Sequence, residues 1–170
     1  MKTLSDAADD FLAQKRIAVV GVSRTSTQPA NFVFRKLRAA GHEVFPVSLF
    51  AAEFEGTRCY PDLQSITGGV TAVVIFTPPA ATETVVRECV ALGIRHVWLH
   101  RSFGAGSASE AAIRVAIEAG LALIPAGCPA MFCEPVDLAH RCFRWFLTAA
   151  GKLPPHAGAQ PLGPTAHPTG

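Results

Sequence analysis

The stretch Ile17-Ala18-Val19-Val20-Gly21 decides the fold of this 170-residue chain. Four apolar residues in a row, without alternation between apolar and polar, are typical of a strand that is covered on both faces, as in a parallel sheet. Similar runs recur at residues 44–47, 70–76, 96–99 and 122–125. The sequence therefore predicts a core of five strands.

The segments between these runs have the pattern of amphipathic helices. Apolar residues return every three or four positions, and charged residues such as Arg35, Glu83 and Arg87 lie between them. A third helix is predicted to begin with a capping box in Ser107-Ala108-Ser109-Glu110. The inward-facing residues predicted for the first two helices are Val33, Leu37, Ala40, Ala81, Val85, Cys89 and Leu92.

A glycine closes each of these three helices just before the next strand, at Gly41, Gly93 and Gly120. Glycine tolerates the left-handed backbone that the end of a helix commonly needs. Three repeats of helix, glycine and strand indicate right-handed βαβ winding. The predicted fold is α/β: a Rossmann-like, doubly wound, mostly parallel five-stranded sheet with helices on both faces.

Two further helices are predicted outside this repeat. Residues 5–14 form a short one with Phe11 and Leu12 facing inward, and residues 134–149 form a C-terminal one. We expect one domain over residues 1–150, followed by a Pro/Gly-rich, disordered tail over residues 151–170. The residues predicted to be buried from the C-terminal helix are Val136, Ala139, Cys142, Phe143, Trp145 and Phe146.

Composition and charge limit the classes of partner. The net charge of +2 comes from 15 basic and 13 acidic residues spread along the chain, which favours neither a nucleic acid nor a membrane surface. The start of the chain leads into Asp9 and Asp10 rather than an apolar stretch, so a cytoplasmic protein is expected. The five cysteines are interpreted as reduced thiols, mostly in the core.

In a doubly wound sheet the ligand binds beyond the carboxyl ends of the strands. The loop after the first strand lacks a dinucleotide fingerprint, since Ser23 and Ser26 stand where its second and third glycines belong. A hydroxyl-rich turn ahead of a helix near Pro29 still offers N–H groups to a phosphate. Arg24 adds a charge for the same ligand.

A second absence argues against NAD. Sites for NAD usually carry an acidic residue at the end of the second strand to hold the ribose diol. Here Glu43 lies at the start of that strand, and its end carries Ser48. A phosphorylated ribose, as in coenzyme A or NADP, remains open.

Several of these segments together resemble the CoA-binding domain family, whose module also forms the N-terminal part of the succinyl-CoA synthetase α subunit. The resemblance covers about residues 10–150 and is closest to stand-alone bacterial members. The matching segments are Ile17-Ala18-Val19-Val20-Gly21-Val22-Ser23, Val44-Phe45-Pro46-Val47-Ser48, Phe76-Thr77-Pro78-Pro79, Val97-Trp98-Leu99-His100 and Gly127-Cys128-Pro129-Ala130.

The resemblance implies that coenzyme A or an acyl-CoA binds at the ends of the strands. The first loop would meet the nucleotide phosphates, the end of the second strand would border the adenosine, and the later loops would enclose the pantetheine and the thiol end. The implied binding residues are Gly21, Val22, Ser23, Arg24, Thr25, Val47, Ser48, Phe76, Thr77, Pro78, His100, Arg101, Ser102, Gly127, Cys128 and Pro129.

The sequence departs from the synthetase in two ways. The synthetase has a lysine soon after the second strand, whereas Ala51 and Ala52 follow here, and the second domain with its phosphorylated histidine is missing. Ligase activity is therefore not implied, and no catalytic constellation is recognised. The prediction is a non-catalytic carrier, sensor or regulatory module.

Alternatives stay open beside this prediction. One is an NAD(P)-binding, oxidoreductase-like protein, and another is a scaffold that acts through protein contacts or a homodimer of its C-terminal helix. Cys128 is either a small buried residue or a thiol that forms a mixed disulfide with coenzyme A. His100 is either a ligand contact or an acid–base group. No metal site is expected, because Cys128, Cys133, His140 and Cys142 fit no familiar zinc spacing.

Overall fold

The computed structural model describes residues 2–25, 27–101, 106–151, 153–154 and 156–157. Its helices are α1 (Leu4–Leu12), α2 (Pro29–Ala39), α3 (Pro79–Ala91), α4 (Glu110–Glu118) and α5 (Leu138–Ala149), with a short 3₁₀ helix at Pro129–Met131. Its strands are β1 (Arg16–Val20), β2 (Glu43–Val47), β3 (Glu53–Phe54), β4 (Thr57–Arg58), β5 (Ala72–Ile75), β6 (His96–Leu99) and β7 (Ala122–Ile124).

The five predicted strands form one parallel sheet in the order β2-β1-β5-β6-β7. The chain runs from β1 outward to β2 and then returns to the other side of β1 as β5. Val20 at the end of β1 is in register with Val47 on one side and with Ile75 on the other. The strand order therefore reverses between β1 and β5, which is where such sheets bind ligands.

Each face of the sheet carries its own core, which confirms the doubly wound class. Alternate residues of a strand point to opposite faces, so every strand contributes to both cores. The core shared with α1, α2 and α5 contains Ile17, Val19, Val74, Trp98 and Ile124. The core shared with α3 and α4 contains Ala18, Val20, Val73, Ile75, Val97, Leu99 and Leu123.

A small hairpin of β3 and β4 follows β2 and is not predicted by the sequence. The chain that leaves it returns along the outer edge of β2, where Ser48 donates its N–H to the Tyr60 carbonyl at 2.9 Å and Tyr60 donates to Pro46 at 2.9 Å. An edge strand with free backbone groups is a template for unwanted pairing. The return of the chain at Tyr60 closes this edge at its carboxyl end.

Two details of the predicted helices are wrong. In α3 the buried residues are Thr82, Val86 and Cys89, whereas Ala81 and Leu92 of the predicted stripe are exposed. The buried face is shifted by about one residue from the predicted face. The sequence did not reveal this because alanine and leucine fit either side. In α2 the stripe continues toward the N-terminus through Ala30 and Phe34, and Ala40 is exposed at the C-cap.

The predicted capping box of α4 does not form. The helix begins at Glu110, so Ser109 is the N-cap and its hydroxyl accepts from the Ala112 N–H at 3.1 Å. Glu110 is then the first helical residue and not the third, where a capping box requires it. A capping box that the sequence analysis missed links Thr3 and Asp6 at α1.

The C-terminal helix is shorter and packs differently than predicted. It begins at Leu138 after Asp137, whose carboxylate accepts from the His140 N–H at 3.0 Å. Leu147 is its buried residue and Phe143 is half-buried. The sequence misleads here because the helix is apolar on two sides, and the side that faces outward was taken for the buried one. Four residues predicted to be buried are exposed instead: Ala139, Cys142, Trp145 and Phe146.

The segment after α5 contributes to the packing near its start. Leu153 is buried and lies over Gly127, and Ala157 donates its N–H to the Lys2 carbonyl at 3.1 Å. Residues 158–170, most of the predicted tail, lie outside the described residues.

Four cysteines are buried, Cys142 is exposed, and all five are free. Within the described ranges, no helix is long and apolar enough to cross a bilayer.

Candidate functional site

The loops after β1 and β5 approach each other most closely at Gly21 and Phe76. Gly21 donates its N–H to the Val47 carbonyl at 2.9 Å, and Phe76 donates to the Val20 carbonyl at 2.9 Å. Gly21 has a φ of +103°, and a Cβ added there would lie 3.1 Å from the Phe76 Cβ. A side chain at position 21 would therefore be strained and crowded. The glycine permits the ends of β1, β2 and β5 to lie close together, and the region beyond these three ends is called here the switch-point crevice.

A buried asparagine shapes the loop after β1. Asn31, inside α2, donates its amide N–H groups to the carbonyls of Ser23 at 2.7 Å and Thr25 at 2.9 Å. Its amide oxygen accepts from the Ser23 N–H at 3.0 Å. The side chain is fully buried, so these three bonds satisfy groups that water does not reach. The amide holds the loop open in one conformation, with Arg24 and Thr25 exposed.

The sequence analysis missed Asn31 as part of the site. Its one available signal was an amide between the apolar residues Ala30 and Val33, directly after a glycine-led loop. Ser26 of the same loop lies outside the described residues. The hydroxyl of Ser23 accepts from the Thr25 N–H at 3.2 Å, a further bond within the turn.

The helices that follow the two loops begin at the crevice without a side-chain cap. Pro29 opens α2 after Gln28, and Pro79 opens α3 after Pro78, and neither N-cap residue bonds the helix through its side chain. The start of a helix carries partial positive charge and unpaired N–H groups. Both starts lie at the carboxyl edge of the sheet, because α2 follows β1 and α3 follows β5. An anion such as a phosphate group suits this position.

A threonine fixes the loop after β5. The Thr82 hydroxyl lies 3.0 Å from the Thr77 hydroxyl and donates toward the Pro78 carbonyl at 3.2 Å. Thr82 is fully buried, whereas Thr77 is half-buried and Pro78 is exposed toward the crevice side of the helix start. This loop is short and rigid, since two consecutive prolines restrict its backbone.

His100 follows β6 and borders the same crevice. Its ring stacks on Phe76 with 4.5 Å between the ring centroids. Its backbone N–H donates to the Ile75 carbonyl at 3.0 Å. Burial lowers the pKa of His100 to about 4. The ring is therefore neutral at pH 7 and is a weak base there, so the ligand-contact alternative fits better than acid–base catalysis.

The turn after β7 joins the site through backbone bonds. Arg101 donates its N–H to Gly127 at 3.1 Å, and Gly127 donates back at 2.8 Å. Cys128 is buried in the core, and burial raises its thiol pKa to about 11. A buried thiol that keeps its proton is a poor nucleophile, which favours the packing alternative over a mixed disulfide. Ser102, another predicted binding residue, lies outside the described residues.

The described members of the predicted set all lie at the carboxyl edge of the sheet. They divide into a group at the switch-point crevice and a group at His100, Arg101 and residues 127–129, which the stack of His100 on Phe76 connects. The side chains of Val22 and Val47 are buried in the two cores, so each offers a ligand only its backbone. Among the described residues, no three His, Cys, Asp or Glu side chains cluster as metal ligands.

Two apolar residues beside the crevice were missed from sequence. Leu49 and Phe50 follow Ser48 and are 78% and 83% exposed, the largest exposures among the large apolar residues described. The Phe50 N–H donates to the Ser48 hydroxyl at 3.3 Å, which fixes the backbone of the loop beside the end of β2. Nothing in the sequence signals their exposure, since apolar residues that follow a strand are as common in a core.

Comparison with known proteins gives one family and several relatives. The family model described as a CoA binding domain matches residues 15–134. The chain is 30% identical over 95 residues to acetate–CoA ligase (ADP-forming) II of Archaeoglobus fulgidus, which covers 55% of this chain and 14% of that protein. It is 29% identical over 90 residues to acetate–CoA ligase (ADP-forming) II subunit alpha of Pyrococcus furiosus, covering 52% and 20% of the two chains.

A solved structure extends the likeness to the fold. A hypothetical protein from Pyrococcus horikoshii superposes with a TM-score of 0.71 at 28% identity, covering 78% of this chain and 91% of that one. The match to the two curated ligases, in contrast, spans at most 20% of their lengths. Residues 15–134, which the family model matches, contain the strands and loops around the switch-point crevice.

Proposed function

This chain belongs to the CoA binding domain family, and from that premise we propose that it binds coenzyme A or an acyl-CoA in the switch-point crevice. The ligand would lie across the carboxyl ends of β1, β2 and β5. Its role would be that of a carrier, sensor or regulatory module without a reaction of its own. The ligase activity in the names of the curated relatives belongs to proteins of which this chain matches only 14% and 20%.

The observation that carries the proposal is the pair of helix starts that follow β1 and β5, neither of which has a side-chain cap. The diphosphate of coenzyme A is a compact anion, and the partial positive charge at the starts of α2 and α3 would attract it. The φ of Gly21 and its contact with Phe76 keep the backbone clear of a side chain there. Arg24 lies exposed on the same loop and would add a charge-assisted contact.

The end of β2 favours a phosphorylated ribose over a free diol. The acidic residue that a dinucleotide site would use, Glu43, lies at the opposite end of the strand and pairs with Arg16 at 2.7 Å. Ser48 stands at the crevice end, and its hydroxyl is a short hydrogen-bonding group without charge. A 3′-phosphate of coenzyme A would meet no carboxylate from this strand end, whereas the diol of NAD would lack its usual acceptor.

The same site supports binding rather than catalysis. His100 is neutral at pH 7, because burial lowers its pKa to about 4. The Cys128 thiol is protonated, because burial raises its pKa to about 11. Neither group is activated as general acid–base or nucleophilic catalysis requires.

Native mass spectrometry and calorimetry with coenzyme A, dephospho-coenzyme A, NAD and NADP test the proposal. We expect coenzyme A to bind, dephospho-coenzyme A to bind more weakly, and NAD to leave no adduct. Binding of the dinucleotides alone would contradict the proposal and favour an oxidoreductase-like protein. Absence of any adduct would contradict it in favour of a protein scaffold.

A matched pair of variants tests the position of the site. Arg24→Gln removes a charge beside the crevice, whereas Arg95→Gln removes an exposed charge just before β6, at the opposite edge of the sheet. We expect the first to weaken coenzyme A binding about tenfold, which corresponds to about 1.4 kcal/mol. The second should leave the affinity unchanged. Equal losses from both would indicate a general charge effect and not a site at this loop.

A further inference from the structure

Helix α5 turns an apolar surface to solvent. We define the outer face of α5 as Leu138, Cys142, Trp145, Phe146 and Ala149. Leu138, Trp145 and Phe146 are 75%, 72% and 53% exposed, while Leu147 on the opposite side of the helix is buried. A helix with one buried side usually exposes polar residues on the other. The outer face of α5 is apolar instead, and packing among the described residues does not explain that composition.

The outer face has the spacing of a helix-pairing surface. Leu138, Cys142, Trp145 and Ala149 follow one another at steps of four, three and four residues, which aligns them in a single stripe. Ala139 and Phe146 lie along one side of the stripe, and Arg141 and Thr148 lie along the other. A stripe with this spacing and flanks is typical of a helix that packs lengthwise against another helix.

We propose that the outer face of α5 pairs with the same face of a second copy of this chain, with the two helices antiparallel. When the two-fold axis passes between positions 143 and 144 of each helix, Leu138 of one copy faces Ala149 of the other, and Trp145 faces Cys142. Each large side chain then lies against a small one, which is the arrangement that close packing of facing positions requires. On one flank, Phe146 of each copy meets Ala139 of the other in the same way.

The sizes of the side chains favour this orientation over a parallel one. In an antiparallel pair each flank meets the same flank of the other copy, so Arg141 lies near Thr148 and the two arginines stay apart. A parallel pair in register would place Trp145 against Trp145 and leave Ala149 against Ala149, with a clash in one layer and a gap in the next. The large and small side chains of the stripe therefore match those of a second copy only when the two helices are antiparallel.

The exposed area predicts a reversible dimer. A large aromatic side chain presents about 150–250 Å² when exposed, so the three large residues of the face supply roughly 400 Å² per copy. Pairing would therefore bury roughly 800 Å² from these residues and somewhat more with the flanks, which lies in the range of transient complexes. Because a two-fold pair covers the face on both copies, the assembly closes at two.

Sedimentation and light scattering across micromolar to millimolar concentrations test the dimer on the full chain. We expect the mass to rise with concentration from 18.0 kDa toward twice that value and to stop there. Trp145→Glu should raise the dissociation constant at least about tenfold, since a charge would be buried at the centre of the contact. Ile117→Glu, on the exposed side of α4, is the matched control and should leave it unchanged.

A swap of two residues tests the register. Cys142→Trp alone would set two tryptophans against each other and weaken the dimer, whereas Cys142→Trp combined with Trp145→Cys restores a large residue opposite a small one. We expect the double variant to dimerise within about threefold of the original chain. These residues are exposed in the single chain, so the variants should fold normally, which circular dichroism would verify.

Cross-linking gives an independent readout. Cys142 is the one exposed cysteine of the five, so a short bismaleimide should join two copies through it, and Cys142→Ser should abolish the product. A chain that stays monomeric at every concentration would overturn the proposal, as would a dimer indifferent to Trp145→Glu or assemblies larger than two. Failure of the swap to restore the dimer would overturn the antiparallel register.

Discussion

The loops after β1 and β5 face the same crevice and are built on one plan. Each leads into a helix that begins with a proline, at Pro29 and Pro79, and each N-cap lacks a side-chain bond. Each loop is tied by one fully buried polar side chain within the following helix, Asn31 in α2 and Thr82 in α3. These two side chains satisfy backbone or hydroxyl groups of the loop and do not cap the helix starts.

The two ties differ in reach. An asparagine amide has two donor hydrogens and an acceptor oxygen, and Asn31 uses them on Ser23 and Thr25, up to eight residues away. A threonine hydroxyl has one donor hydrogen, and Thr82 uses it within the five residues back to Thr77. The loop after β1 is therefore wide and depends on one side chain, whereas the loop after β5 is short and is also restricted by its prolines.

This difference separates two roles within one site. A wide loop with exposed Arg24 and Thr25 can wrap a phosphate chain, provided that something fixes its conformation. A short, rigid loop forms a wall against which the ligand lies, with Phe76 supported by the His100 ring behind it. We expect perturbations of the first loop to affect stability and binding together, and perturbations of the second to affect binding little.

Asn31→Ala should have the largest effect. It removes three hydrogen bonds and leaves the N–H and the carbonyl of Ser23 without those partners in a partly buried loop, whereas the Thr25 carbonyl still accepts from the Gln28 N–H at 3.2 Å. An unsatisfied buried group costs about 1–3 kcal/mol, so we expect a loss of about 3 kcal/mol in the free energy of unfolding. Urea denaturation measures it, and calorimetry should show coenzyme A binding weakened at least about tenfold.

Gln28→Ala is the matched control for that variant. Gln28 precedes the same helix, is exposed, and makes no side-chain bond at the N-cap. We expect its free energy of unfolding to change by less than about 0.5 kcal/mol, as for an ordinary surface substitution. A similar loss in both variants would show that the loop is held by the helix start and not by Asn31.

His100, which stacks on Phe76 of the loop after β5, should make the free energy of unfolding depend on pH. The unfolded chain protonates His100 near its ordinary pKa of 6.5, but burial lowers the folded-state pKa to about 4. Between these values the unfolded state binds more protons, so stability falls as the pH falls. From pH 7 to pH 5 the contribution of His100 should decrease by about 2 kcal/mol.

Paired denaturation curves measure this contribution. The original chain and His100→Gln are unfolded in urea at pH 7 and at pH 5, and the two pH-dependent losses are compared. The variant lacks a titrating group at position 100, so its loss should be smaller by about 2 kcal/mol. Equal losses would mean that the ring at position 100 is charged or exposed in the folded protein at pH 5.

The fold was predictable because its signals are local and repeated. Five apolar runs predict buried strands, and the glycines at positions 41, 93 and 120 predict helix ends. Each of these signals depends only on residues that are neighbours in the sequence. The helix stripes were less reliable, since Ala81 and Leu92 fit a buried or an exposed position equally well. The outer face of α5 was misassigned for the same reason: its residues are apolar, and only the neighbouring elements decide which side is covered.

The position of the candidate site was predictable, but its hydrogen bonds and the pKa values of its residues were not. Topology places every loop that follows a strand at one edge, so Gly21, Phe76 and His100 could be grouped before any contact was known. Asn31 could not be, because its bonds span eight residues and depend on the path of the loop. The lowered pKa of His100 and the raised pKa of Cys128 could not be predicted either, since both shifts follow from burial in the folded chain.

Apart from the control variant Gln28→Ala, Thr82→Val should have the smallest effect, and it tests the comparison of the two loops most directly. Valine keeps the shape of the side chain and removes the hydroxyl, yet the Pro78 carbonyl still accepts from the Ala81 N–H at 2.9 Å. Pro78 and Pro79 restrict the backbone without help from Thr82. We expect a loss of about 1 kcal/mol in urea denaturation and less than about a twofold change in coenzyme A affinity. A loss as large as that of Asn31→Ala would mean that both loops depend on a single buried side chain, and that the prolines do not set the second loop.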